Sequence, residues 1–222
     1  MSHQTIIVLD FGSQYTQLIA RRLRELSVYT EIVPHSTPVA EIARRRPVGV
    51  VLSGGPSSVL DDGAPMVDPG VFTLGVPVLG ICYGMQLLTK LFGGEVGKSG
   101  HREFGHAQVT PQGECALFAS LPPSIRVWAS HGDFVASAPP GFAVTATSAT
   151  APVVGMQDTT RGIYGILFHP EVVHTEHGGD ILKNFAFRVC GCTGDWTMRS
   201  FVDESVAKIR ATVGEGRVLC GL

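Results

Sequence analysis

A cysteine between two glycines is the residue of this chain best placed to do chemistry. The apolar residues 78–81 lead into Gly-x-Cys-x-Gly at residues 80–84, and a helical pattern begins directly afterwards. Serine hydrolases carry their nucleophile on such a sharp turn from a strand to a helix. Backbone N–H groups and the positive end of the helix favour a thiolate at this position. We therefore predict that Cys82 is a nucleophile on an exposed elbow, although most free cysteines are buried core residues.

A histidine and a carboxylate far downstream could be the base and the acceptor that the nucleophile needs. Residues 163–168 form an apolar run that ends in His169-Pro170-Glu171. A thiolate needs a base that moves its proton, and that base needs an acceptor that fixes its tautomer. Alone, His-Pro-Glu would be a turn with a capping acid. After the cysteine elbow, the order Cys82, His169, Glu171 predicts a catalytic triad.

Two backbone groups are candidates for stabilising an oxyanion. The N–H of Tyr83 follows the nucleophile directly, which is the usual position of one donor in elbow geometry. Gly55, in Ser-Gly-Gly-Pro at residues 53–56, is the candidate for the second, because glycine lets the backbone approach a ligand closely. A simple turn after a strand would explain the same glycines.

Strand and helix patterns alternate over the first 92 residues. Apolar runs predict strands at 5–9, 31–33, 48–52 and 76–81, and helical spacing predicts helices at 15–26, 39–45 and 83–92. Continuous apolar strands that alternate with helices indicate a parallel sheet covered on both faces.

The middle of the chain has a different pattern. Short alternating segments at 106–110, 125–129, 143–148 and 153–157 suggest hairpins and an antiparallel extension, and 178–189 returns to helix. We expect an α/β fold with an open mixed, mostly parallel sheet flanked by helices. Its site should lie at the carboxyl ends of the strands.

The segment after residue 195 looks separate from this domain. Residues 201–213 predict an amphipathic helix, and 217–222 an apolar strand. We predict one domain over 3–195, and a linker helix plus the first strand of a truncated second domain over 196–222. A last strand on the first sheet remains an alternative.

Composition narrows the function classes. The chain has 222 residues, 44% of them hydrophobic, and a net charge of −2, so no nucleic-acid partner is expected. The longest uncharged stretch, 71–85, is too short and too interrupted to cross a membrane, and no signal peptide is expected. Five irregularly spaced cysteines indicate a reducing cytoplasm rather than a disulfide framework.

Five further segments resemble a known family. Together with the triad they spread the resemblance over essentially the whole chain. They are 9–15 (Leu-Asp-Phe-Gly-Ser-Gln-Tyr), 52–57 (Leu-Ser-Gly-Gly-Pro-Ser), 102–105 (Arg-Glu-Phe-Gly), 128–133 (Trp-Ala-Ser-His-Gly-Asp) and 169–172 (His-Pro-Glu-Val). With the triad, they resemble the class I glutamine amidotransferases, which hydrolyse glutamine and pass on ammonia. The first and third segments resemble the branch that serves a GMP-forming synthetase.

The resemblance implies a substrate, site residues and partners. The substrate is L-glutamine, with Gln86 in contact with it and Ser130, Gly132 and Asp133 at its amino-acid end. The partner is a synthetase (ATP-pyrophosphatase) domain that binds XMP and ATP. ATP and Mg²⁺ belong to that missing domain, and this domain needs no cofactor or metal. The missing part could also form a homodimer.

Other interpretations fit parts of the sequence. A glutaminase subunit of another pathway, or a catalytically quiet regulatory module, would share this fold. A zinc deaminase needs Pro-Cys-x-x-Cys, which Cys190-Gly-Cys192 does not supply. Residues 93–99 are one residue short of a phosphate loop. His174, Glu176 and His177 suggest a loop at the rim of the site, with no role assigned.

Overall fold

One mixed sheet organises the molecule. The computed structural model describes residues 3–219, and at residues 99–104, 198, 200, 201, 204 and 208 it describes the backbone alone. The strands are β1 (Thr5–Asp10), β2 (Tyr29–Pro34), β3 (Gly49–Leu52), β4 (Val78–Ile81), β5 (Glu95–Pro111), β6 (Ile125–Ser137), β7 (Ala143–Ser148), β8 (Gly155–Asp158) and β9 (Ile163–Ile166). The helices are α1 (Thr16–Glu25), α2 (Val39–Arg44), α3 (Tyr83–Leu91), α4 (Gly178–Lys183) and α5 (Met198–Val213).

The first half of the sheet is parallel. The strand order is β2-β1-β3-β4-β9-β8-β7-β5-β6, and the pairs from β2 to β9 all run in the same direction. Strands β3, β4 and β9 are buried at every residue, as expected for strands covered on both faces. Helices α1 and α3 pack against this half, with Ile19 and Leu23 of α1 fully buried. The predicted strands and helices of residues 5–92 are confirmed.

The second half is an antiparallel extension. Strands β8, β7, β5 and β6 pair antiparallel in that order beyond β9. The predicted mixed sheet with flanking helices is therefore confirmed. Strands β5 and β6 are longer than their sequence patterns predict, and the register between them shifts between Lys98 and Glu103. Residues 130–133, which follow the strand predicted at 125–129, therefore lie within β6.

The predicted helix over 178–189 changes its winding half-way. Helix α4 ends at Lys183, and Asn184–Val189 forms a π-helical turn. The side-chain amide of Asn184 donates to the carbonyls of Leu117 and Ala119, at 3.0 and 2.9 Å. The N–H groups of Cys190 and Cys192 close the turn on the carbonyls of Phe185 and Ala186. The tertiary hydrogen bonds of Asn184 thus hold the turn, and the two local backbone bonds close it.

The C-terminal segment contributes little to the core. Trp196 is the last buried residue among those described. Helix α5 exposes Val202, Val206 and Ile209, which lie on one face at spacings of four and three residues. Residues 217–219 form no strand, and the rest of the strand predicted over 217–222 lies outside the described residues. Over the described residues, no helix is both long and apolar enough to cross a membrane.

Candidate functional site

Four adjacent parallel strands bring the predicted site together. The chain leaves the carboxyl ends of β1, β3, β4 and β9 into the segments that carry Ser13, Gly55, Cys82 and His169. Because parallel neighbouring strands end at the same edge of the sheet, these segments converge there. A cavity of about 780 Å³ opens at this edge and all four residues line it.

Cys82 lies on a strained turn between β4 and α3. Its backbone angles are φ 52° and ψ −107°, one of the few positive φ values of a non-glycine residue in the described chain. Such strain is typical of a nucleophile elbow. The N–H of Cys82 donates to the carbonyl of Ile166 at 2.8 Å, and its thiol lies 3.6 Å from the carbonyl of Ser130. The residue is only 4% exposed, so the predicted exposed elbow is instead enclosed by the cavity walls.

The two glycines of the elbow allow α3 to start directly against the sheet. A β-carbon on Gly84 would lie 2.4 Å from the carbonyl oxygen of Leu52. One on Gly80 would lie 2.7 Å from the backbone of Gly84. Both distances are far below van der Waals contact, so any larger residue would push the helix and its cysteine away from β3.

His169 and Glu171 form a buried pair. The Nδ1–H of His169 donates to Glu171 Oε1 at 2.8 Å, which leaves Nε2 free to act on the thiol. The imidazole and the carboxylate are 4% and 0% exposed. Arg22 Nε donates to the backbone carbonyl of Glu171, and the ring of Tyr15 lies edge-on to the imidazole at 5.0 Å. The imidazole is therefore held in one orientation and one tautomer.

The electrostatics of the pair favour a protonated imidazole. Burial lowers the pKa of His169, but the hydrogen bonds and charges of Cys82 and Glu171 outweigh it and raise this pKa to about 10. An imidazolium facing a thiolate is the resting state that a cysteine nucleophile requires. His169 can thus supply a proton to a leaving group at neutral pH.

Unlike Cys82, the other described cysteines do not line the cavity. Burial raises the pKa of the Cys115, Cys190 and Cys192 thiols, the last to about 11. Neutral buried thiols are poor nucleophiles and poor metal ligands. Cys82 remains the candidate nucleophile.

The predicted oxyanion donors lie on both sides of the cysteine. Within the described chain, the N–H groups of Gly55 and Tyr83 donate to no protein acceptor, whereas the next helical N–H, of Gly84, is bonded to the Ser53 carbonyl. A β-carbon on Gly55 would lie 2.7 Å from the carbonyl of Phe11, and one on Gly54 3.0 Å from the imidazole of His169. Close packing against the backbone thus requires glycine at residue 55, whereas a side chain at residue 54 would crowd the imidazole.

The predicted glutamine-binding residues line the same cavity. Gln86, Ser130, Gly132 and Asp133 face it together with Cys82. Gln86 is buried, and its Nε2 donates to the backbone carbonyl of Asp133 at 3.0 Å. Of the predicted residues, only Glu171, behind His169, and the Tyr83 side chain, in the core, do not line it.

Several lining residues were missed as site residues. Tyr15, Ser58, Asp61 and Lys98 also face the cavity. Lys98 pairs with Asp61 at 3.6 Å on the rim, and Ser58 donates a hydrogen bond to the Asp133 carboxylate. The place of Tyr15 at the site could have been predicted from the sheet, because its segment follows β1 and β1 lies next to β3. For Ser58, Asp61 and Lys98, no local sequence pattern indicates a place at the site.

The polar cluster after the triad forms exposed pairs, and none of its three residues lines the cavity. Glu176 pairs with Arg126 at 3.2 Å and His177 with Asp180 at 2.9 Å. The ring of His174 packs on Trp128 at 4.9 Å. Among the described residues no three His, Cys, Asp or Glu side chains gather in a way that could hold a metal ion.

The comparison with known proteins decides the family. The sequence profile described as "Glutamine amidotransferase class-I" matches residues 7–189. The chain belongs to the class I glutamine amidotransferases. A crystal structure of a protein from Thermoplasma acidophilum, described as a GMP synthase subunit, is 35% identical, with a TM-score of 0.77, and the match covers 93% of this chain and 99% of that one. A glutamine amidotransferase from Thermotoga maritima, at 21% identity and TM-score 0.61, shares the fold.

Longer amidotransferases are also similar to this chain. The glutamine-hydrolysing GMP synthases of Bacillus cereus and Bacillus anthracis are 52% identical to it over 220 residues, which is 99% of this chain. The chain spans only 43% of the length of these relatives.

Proposed function

We propose that this chain is the glutamine-hydrolysing part of a GMP synthase. The observation that carries the proposal is the Cys82–His169–Glu171 arrangement, in a chain of the class I amidotransferase family that is 52% identical to GMP synthases. The part supplies ammonia, and the remainder of the enzyme uses it for the ATP-dependent amination of XMP.

The first half-reaction releases ammonia. The Cys82 thiolate attacks the carbon of the glutamine side-chain amide, and the tetrahedral oxyanion is bound by the N–H groups of Tyr83 and Gly55. His169 gives its proton to the amide nitrogen, the C–N bond breaks, and ammonia departs. A γ-glutamyl thioester remains on the cysteine. Loss of one oxyanion donor typically costs about 10²–10³-fold in rate.

The second half-reaction restores the enzyme. His169, now neutral, takes a proton from water, and the resulting hydroxide attacks the thioester carbonyl. The carbon–sulfur bond breaks, glutamate leaves, and the thiolate and imidazolium form again. Glu171 holds the imidazole in one orientation throughout and does not itself transfer a proton.

The amino-acid end of glutamine lies towards β6. Asp133 supplies a negative charge for the α-ammonium group, and Ser130 and Gly132 offer backbone groups. Gln86, one helical turn after the nucleophile, contacts the substrate. One hydrogen of its amide nitrogen is bonded to the Asp133 carbonyl, which leaves the amide oxygen and the second hydrogen available.

The rest of the enzyme is a synthetase domain of the ATP-pyrophosphatase type. ATP, Mg²⁺ and XMP bind there, and this domain works without a cofactor or metal. We assign residues 3–195 to the glutaminase domain and 196–222 to a linker helix that leads into the synthetase. The exposed apolar face of α5 supports this division, because the first domain does not use it. The four free cysteines among the described residues fit a cytoplasmic enzyme.

The experiment is a glutaminase assay of the chain with and without a synthetase domain. We expect slow glutamate release from the chain alone and no GMP from XMP and ATP. Addition of the synthetase domain of a Bacillus relative, with XMP, ATP and Mg²⁺, should raise glutamate release, because the two sites are coupled. A turnover that the synthetase domain does not change would favour a stand-alone glutaminase or a subunit that serves another pathway.

A further inference from the structure

The carboxylate of Asp133 is held by a hydroxyl from a distant part of the chain. Ser58 Oγ donates to Asp133 Oδ2, across 75 residues of sequence. Asp133 is only 8% exposed, and its carboxylate meets no described cation within ion-pair distance. A carboxylate that is largely removed from water and hydrogen-bonded only to a neutral hydroxyl can bind a cation that enters the cavity.

The hydroxyl group of Ser58 has a fixed orientation. Its oxygen accepts the N–H of Leu60 at 3.1 Å, so the hydroxyl hydrogen is left to point at Asp133. The backbone of Asp133 is held from the other side by Gln86. One hydroxyl occupies one carboxylate oxygen and leaves the remaining acceptor sites of that group free.

Ser58 also joins two parts of the site. It comes three residues after Gly55 on the segment that follows β3, whereas Asp133 lies on β6, at the far edge of the antiparallel extension. This hydrogen bond therefore links the segment that carries the Gly55 backbone donor to the carboxylate on β6.

We propose that Ser58 is a positioning residue that fixes the Asp133 carboxylate for the α-ammonium group of the substrate, and so sets selectivity for a free α-amino acid. The inference rests on the proposed glutaminase function. Ser58 touches no reacting atom, so it acts on substrate binding and not on the thioester chemistry.

The test compares glutamine with 4-carbamoylbutanoate, which is glutamine without its α-amino group. Hydrogen bonds to charged groups are strong enough that Ser58→Ala should raise KM for glutamine about 10- to 100-fold. The kcat should change less than threefold. The kcat/KM preference for glutamine over 4-carbamoylbutanoate should fall by at least tenfold.

Two further variants separate positioning from general damage. Ser58→Thr keeps the hydroxyl and should retain most of the preference for glutamine. Ser57→Ala removes a neighbouring hydroxyl of the same segment, and should leave the preference unchanged because the bond to Asp133 comes from Ser58.

The outcomes distinguish the two levels of the proposal. If the wild-type chain hydrolyses glutamine but Ser58→Ala loses activity on both substrates equally, or keeps its preference, the positioning role is wrong while the glutaminase function stands. If the wild-type chain with its synthetase domain releases no glutamate, the proposed function itself is wrong.

Discussion

At the scale of single residues, the site depends on an imidazole that lies between the Cys82 sulfur and the Glu171 carboxylate. Burial alone would make His169 neutral, and the two anionic neighbours reverse that effect. This balance explains how one imidazole can be an acid towards the leaving amine and a base towards water.

The pH dependence of hydrolysis should report this balance. Because the pKa of His169 is raised above its ordinary 6.5 to about 10, kcat/KM should fall as the pH rises through that value, where the imidazolium loses its proton. Glu171→Gln removes one of the charges that raise the pKa, so the falling limb should move to lower pH. The rate should drop by less than the roughly 10²–10⁴-fold expected for His169→Ala.

The control for this profile is Glu176→Gln. Glu176 is a surface carboxylate of the same segment that pairs with Arg126, and its loss should leave the alkaline limb in place. A limb that is the same in wild type and Glu171→Gln would contradict the role given to the carboxylate.

The convergence of the three proposed triad residues could be predicted, because each lies in a local pattern at the end of a strand. Ser58 could not, because its partner Asp133 is brought to it by the antiparallel extension and not by anything near it in sequence. The burial of Cys82 was missed for a related reason, since the wall over the thiol comes from Ser130 on β6.

At the scale of elements, the elbow works because α3 lies unusually close to β3. Gly84 is the contact point, and no side chain fits between the helix and the carbonyl of Leu52. The same contact positions the positive end of α3 beneath the nucleophile.

Replacement of Gly84 should therefore destabilise the fold. Gly84→Ala should lower the free energy of unfolding by at least about 1–3 kcal/mol, because the added methyl group overpacks the interface. Gly179→Ala, in α4, is the matched control, since a β-carbon there meets no atom within 4 Å. It should be neutral, or stabilise by up to about 1 kcal/mol. Urea unfolding measures both, and equal midpoints would contradict the packing argument.

The parallel strands were predictable because each is a continuous apolar run. The lengths of β5 and β6 were not, because each strand is extended by pairing with the other and not by its own composition. The π-helical turn was missed likewise, since the side chain that stabilises it, Asn184, bonds to a segment some 65 residues away.

At the scale of the whole molecule, one edge of one sheet gathers the proposed nucleophile, its proposed acid–base partner, the candidate oxyanion donors and the cavity. Local patterns predicted the strand ends that meet there, and the sheet order explains why they meet. The synthetase domain is proposed from longer relatives, and the exposed apolar face of α5 supports that proposal.

The most direct test of the account is the covalent intermediate itself. The chain, mixed with L-glutamine and the synthetase domain of a Bacillus relative and then quenched in acid, should gain the mass of one γ-glutamyl group. Peptide mapping by mass spectrometry should locate it on Cys82. Cys82→Ala should show neither the adduct nor glutamate release, with unchanged circular dichroism. Glutamate release by a folded Cys82→Ala protein, or an adduct on another residue, would contradict the assignment of Cys82 as the nucleophile.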